Sequence, residues 1–160
     1  IIALIFDEAQ SLKKEIVEEI LLLADFNPAM PKFLQVIFVG DMQFEKKLDT
    51  RELSALNEKF EVRSRLLPFT VQESRDYIGH RLQRAGSSAA EVLTPKAMTL
   101  IAYHGEGIPR VLNRVCYEAL SVGYSQRKDK VDSESVRKAL AKIGLENRGK
   151  SNLPGKPCPG

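Results

Sequence analysis

The sequence predicts an α/β protein in two parts: a piece of a parallel sheet with its crossover helix, then a four-helix module. Three observations predict it. Residues 1–6 (IIALIF) and 33–39 (FLQVIFV) are apolar runs of strand length, and an amphipathic helical pattern lies between them. From Thr70 onward the apolar spacing is helical throughout. Beyond Gly144 the sequence LENRGKSNLPGKPCPG has no period and is heavy in Gly and Pro. The expected division is a sheet layer over residues 1–69, a helical module over 70–144 and a flexible tail over 145–160.

The first run has no polar alternation, which fits a central strand buried on both faces. Residue 1 already lies inside it, so a fragment of a longer chain is expected. Asp7-Glu8 arrives at the strand's carboxyl end, where open α/β sheets hold ligands. Two carboxylates there have a use in phosphate chemistry, a Walker B arrangement. Asp7 would hold a Mg²⁺ ion and Glu8 would deprotonate a water attacking a terminal phosphoryl group. The same pair would equally serve to open a helix, by satisfying free N–H groups.

Leu12, Ile16, Val17, Ile20, Leu21 and Leu23 recur at helical spacing, predicting a helix over 12–23 that Asn27-Pro28 ends. The second strand, Phe33 to Val39, runs into Gly40-Asp41. A right-handed crossover puts both strand ends on one edge of the sheet, so Asp41 joins Asp7 and Glu8 there. Asp41 would contact a terminal phosphate or the attacking water, the task called sensor 1, or it would simply turn the chain into the next helix. Phe44 to Phe60 reads as that helix, with Leu48, Leu53 and Leu56 along it. Phe60 to Phe69 (FEVRSRLLPF) reads as a short third strand carrying Arg63 and Arg65.

In the helical module, Thr70-x-x-Glu73 is a capping box for a helix to about Arg84, and a small-residue loop follows over 86–90. Thr94-Pro95 opens a second helix that Gly105 stops. A third starts at Ile108-Pro109-Arg110, with Val111, Leu112, Val115, Cys116, Ala119 and Leu120 as its stripe. The fourth begins near Asp132-Ser133 and uses Val136, Leu140 and Ile143.

Composition narrows the function classes. The 160 residues are 43% hydrophobic and 28% charged, enough for one substantial core. The net charge of +3 is dispersed in pairs such as Lys13-Lys14 and Lys46-Lys47, which is weak support for a nucleic-acid partner. Cys116 and Cys158 sit in unlike settings, so a disulfide is not expected and a reducing, cytoplasmic compartment fits. His80 and His104 lack ligand spacing for a metal. No apolar run reaches the length of a membrane span, so direct membrane insertion by this segment is not expected.

A carboxylate-tipped strand, a second strand ending in a polar residue, and a helical module whose third helix opens with Gly-Ile-Pro-Arg together resemble the AAA+ ATPases. DEAQ at 7–10, VGDMQFEKKL at 39–48, RSRLLPF at 63–69 and GEGIPRVLNRVCYEAL at 105–120 are similar, more narrowly, to the ExeA type (general secretion pathway protein A) and its transposition relatives. The resemblance covers residues 1 to 143. It implies a partial P-loop NTPase core, a helical lid, ATP and Mg²⁺ as ligands, and a homo-oligomer. Arg110 matches the family's sensor 2 arginine, and Arg114, four residues on, shares its helix face. An arginine finger completes the neighbouring subunit's site in this family, but its usual Gln-Arg-Ile is Glu58-Lys59-Phe60 here. Lys59, Arg63 and Arg65 therefore all remain candidates.

The ExeA-like branch implies assembly of a secretion system with a membrane partner, the protein being held at the inner membrane through segments outside these residues. The transposition branch implies an oligomer on DNA. A third reading is a non-enzymatic interaction domain, because no G-x-x-x-x-G-K-S/T loop precedes the Asp7-Glu8 strand; the pattern occurs at 144–151 (GLENRGKS), in the tail after the fourth helix and not between a strand and a helix. The complete protein is expected to be an ATPase, and these residues alone to bind ATP weakly or not at all.

Overall fold

The computed structural model describes residues 2–24, 34–50 and 57–146. The chain divides into two compact units, residues 1–65 and 66–160.

In the first unit, β1 (Ile2–Phe6) and β2 (Leu34–Phe38) pair in parallel, in register from Ile2 opposite Leu34 to Phe6 opposite Phe38. Between them run a single 3-10 turn at Ala9–Ser11 and α1 (Lys14–Ala24), the layout that parallel pairing demands. The turn ends on Leu12 as its C-cap, so α1 starts at Lys14, two residues later than the expected 12–23 helix. Asn27-Pro28, the expected stop, lies outside the described residues. Helix α2 (Met42–Leu48) follows β2. It begins two residues before the expected start, and Leu53 and Leu56 fall outside the described residues.

The core of this unit gathers around one ring. Phe38 stacks on Phe6 at 5.4 Å and on Phe44 at 5.9 Å, and meets Phe60 edge-on at 5.6 Å. Phe38 packs against Val17 and Leu21 of α1 and against the cluster of Ala9, Phe44 and Leu48.

Two expectations are corrected here. The strand β1 is not buried on both faces: Ile2 is 56% and Ile5 65% exposed. A central strand needs a neighbour on each edge and cover on each face, and among the described residues β1 has β2 alone. The expected third strand does not form over 60–69. Residues 61–68 are exposed and form neither helix nor strand, with no strand beside them among the described residues to supply a ladder. Its two ends pack locally, Phe60 on Phe38 and Phe69 on Tyr77.

The second unit is helical: α3 (Val71–Arg84), α4 (Ala89–Val92), α5 (Pro95–His104), α6 (Pro109–Ser125) and α7 (Ser133–Lys142). The four long helices are those expected. The short α4 replaces part of the expected loop, because Ser88 and Glu91 form a second capping box. Three of the four long helices start on a side-chain cap, Thr70 with Glu73, Thr94 on Ala97 and Asp132 on Ser135, while α6 opens on Pro109 after Ile108 with no side-chain cap bond. Ile101, Leu112, Val115, Val136 and Leu140 form the buried centre. A single parallel bridge between Leu93 and Val131 ties the entry of α5 to the entry of α7. Leu145, just past Gly144, also packs into this core.

The α5–α6 corner explains one glycine. Gly107 has φ +71, and a Cβ there would collide with the Phe69 backbone, whose N–H donates to the Gly107 carbonyl at 2.9 Å. This fastens the segment before α3 to the start of α6.

Candidate active site

At the carboxyl ends of the two strands, backbone bonds set the geometry. Val39 N–H donates to the Phe6 carbonyl at 2.8 Å, and Ala9 N–H to the Val39 carbonyl at 2.9 Å. The chain therefore turns sharply between them, and Glu8 takes the left-handed conformation, φ 54 and ψ 41. A non-glycine residue adopts this at a cost of roughly 1–2 kcal/mol, so the surroundings must hold it. The Glu8 carbonyl accepts from both Ser11 N–H at 2.9 Å and Ser11 Oγ at 2.7 Å, and Glu8 N–H donates to Asp7 Oδ1 at 2.8 Å.

Asp7, Glu8 and Asp41 are all exposed at this edge. Asp41 is the N-cap of α2, its Oδ1 accepting from Gln43 N–H at 2.7 Å. The helix-opening role weighed for it in the sequence is therefore present. Gln10 spans the gap. Its Nε2 donates to Glu8 Oε2, and its Oε1 accepts from Asp41 N–H at 3.3 Å. Lys47 of α2 donates to the carbonyls of Leu12 and Gln10, closing the 3-10 turn from the other side. The sequence reading missed both Gln10 and Lys47. Gln10 carried a signal, an amide two residues from a carboxylate, but its second partner is 31 residues away and depends on strand register.

The candidate finger residues are engaged within the first unit. Arg65 grips both carboxylate oxygens of Glu45, and that bond holds its guanidinium above its ordinary pKa. Arg63 donates to the Asn57 backbone carbonyl at 2.7 Å and to its side chain, and lies 5.9 Å over the Phe60 ring. Lys59 is exposed. In the second unit, Arg110 is the second residue of α6 and Arg114 stands one turn on, both exposed.

The fit to metal and nucleotide follows from the donor set. Among the described residues no three His, Cys, Asp or Glu side chains gather at one point. A single strand-end carboxylate suits Mg²⁺, which keeps most of its waters and takes one or two protein oxygens beside those of a phosphate. His104, whose Nδ1 is buried without a partner, stands in the other unit at the end of α5. Among the described residues no helix is long and apolar enough to cross a membrane.

No protein-family model matches the chain. It is 30% identical over 144 residues to general secretion pathway protein A of Aeromonas hydrophila, covering 89% of this chain and 26% of that protein. An uncharacterized HTH-type transcriptional regulator of Methanocaldococcus jannaschii is 31% identical over 81 residues, 49% of this chain and 20% of the relative. The chain thus spans about a quarter of the length of the curated relatives it matches. Among solved structures, the RuvB Holliday junction branch migration motor of Thermotoga maritima superposes with a TM-score of 0.68 over 92% of this chain and 46% of RuvB, at 20% identity. That likeness is one of fold.

Proposed function

We propose, from the premise that this chain is an ExeA-like part of an AAA+ ATPase, that the complete protein binds and hydrolyses ATP to drive assembly or remodelling in a secretion system. The observation that carries the reading is the meeting of Asp7, Glu8 and Asp41 at the ends of two paired parallel strands.

Each residue has a task suited to its chemistry. Glu8 accepts the proton of the attacking water, and its exposed carboxylate leaves room for one. Asp7 would hold Mg²⁺. Asp41 senses the terminal phosphate with the carboxylate that also caps α2. The ion held by Asp7 would supply positive charge against the developing negative charge of the phosphoryl group. Arg110 serves as the sensor 2 arginine, with Arg114 on the same helix face, and Lys59, Arg63 or Arg65 serves the neighbouring subunit of a homo-oligomer. Arg63 and Arg65 would first release Asn57 and Glu45, exposed contacts that water readily replaces. The secretion assignment is supported by likeness to general secretion pathway protein A, and the proposal includes a cytoplasmic location and a membrane partner.

The test is Glu8→Gln in the full-length protein. The amide keeps the shape but accepts no proton, so ATP binding should persist while turnover falls by about 100-fold or more. Unchanged turnover would remove Glu8 as the base. Salt-sensitive, ATP-dependent binding to DNA would move the assignment from secretion to transposition.

A further inference from the structure

Gln10 belongs to neither the strand ends nor the helix caps, yet its side chain joins both. Its amide donates to Glu8 Oε2 through Nε2 and accepts from Asp41 N–H through Oε1. The partners dictate which way the amide faces, since a carboxylate can only accept and a backbone N–H can only donate. Amides alone among side chains offer a permanent donor and a permanent acceptor on one carbon, with the reach to span these two groups. Space is reserved for it as well. A Cβ on Gly40 would stand 3.2 Å from Gln10 Oε1 and 2.8 Å from the Cβ of Phe44.

The 3-10 turn does not need this side chain. It is held by main-chain bonds from Ala9 to Val39, from Ser11 to Glu8 and from Leu12 to Ala9, and by Lys47 on the Gln10 carbonyl. What the amide adds is a direction for the Glu8 carboxylate, referred to the tip of β2. We propose that Gln10 is a positioning residue for hydrolysis: it fixes the Glu8 carboxylate against the backbone of Asp41, so that base and phosphate-sensing strand end are held as one unit. This rests on the ATPase reading above.

The geometry sets the consequence. A carboxylate free to rotate spends less time in line with the attacking water, which lowers kcat while leaving nucleotide affinity alone. In the full-length protein, Gln10→Ala should lower kcat for ATP about tenfold with KM unchanged within twofold. Gln10→Glu keeps the acceptor for Asp41 N–H but sets a second negative charge beside Glu8, and should lower kcat at least as far. Thermal melting and ATP binding of both variants should match the parent.

A kcat within twofold of the parent in both variants overturns the proposal. So does a loss of kcat accompanied by lost ATP binding or lowered melting, which would make Gln10 a structural prop. Glu8→Gln separates the two levels of inference. If it abolishes turnover while Gln10→Ala does not, the positioning role alone fails; if it leaves turnover intact, the assignment of the base fails and the role of Gln10 falls with it.

Discussion

Glu8 shows how a single residue's backbone can report on its task. Its left-handed conformation is imposed by the bond from Ala9 N–H to Val39, which pulls the chain sideways directly after the strand. The adjoining tip of β2 is equally constrained. At Gly40 a methyl group would meet both Phe44 and Gln10. Gly40→Ala should therefore destabilise the first unit by about 2 kcal/mol, read as roughly thirty-fold faster amide hydrogen exchange at Val39 and Phe44. Unchanged exchange would mean that Phe44 yields freely. The carboxylates at this edge were legible in the sequence, because a strand ending in two acids is a local pattern. The Gln10 bridge was not, since it joins two strand ends and exists only once their register is known.

Three helices of the second unit, α3, α4 and α7, start on caps that use ionised carboxylates. Glu73 is held below the usual carboxylate range by the Thr70 N–H, and Glu91 by the Ser88 N–H. Asp132 is lowered most, by Lys128 and then by the Ser135 N–H and hydroxyl. Each of these groups binds its proton more readily in the unfolded chain. Their contribution is therefore complete above the unfolded carboxylate values, about 4, and is lost as pH falls through the lower folded values. All four tyrosines (Tyr77, Tyr103, Tyr117 and Tyr124) lie in this unit and there is no tryptophan, so tyrosine fluorescence isolates its unfolding. The melting midpoint followed this way should drop between about pH 4 and pH 2, and Asp132→Asn should flatten the drop. An unaltered slope in that variant would show that the other caps carry the acid sensitivity. Thr70-x-x-Glu73 announced its helix in the sequence because a long apolar period follows it. Ser88-x-x-Glu91 has the same chemistry but only four helical residues behind it, so periodicity had nothing to measure. The absent strand at 60–69 failed for the opposite reason: its residues suit a strand, but a strand exists only with a partner beside it.

For the molecule as a whole, the two units differ in how far they cover their own apolar surface. The helical unit seals its core, with Ile101, Leu112, Val115 and Val136 at 0% exposure. The sheet unit does not, and Ile2, Leu4 and Ile5 of β1 stand in solvent along with Ile37 and Val39 at β2. The run IIALIF encodes burial on two faces, and sequence pattern alone cannot say whether the cover is supplied. Among the described residues the sheet has two strands, each paired on one edge, with exposed apolar side chains beside them, the combination that invites edge-to-edge pairing. These 160 residues prepared alone should therefore self-associate as concentration rises, in sedimentation, and bind an apolar dye. Ile5→Lys places a charge on that surface at a side chain already 65% exposed, so it removes little packing. It should shift the chain toward monomer and reduce dye binding, while tyrosine fluorescence of the helical unit stays the same. Persistent association in Ile5→Lys would locate the sticky surface elsewhere, on the exposed Leu66 and Leu67 ahead of α3. Leu66→Ser with Leu67→Ser would then be the variant that yields the monomer.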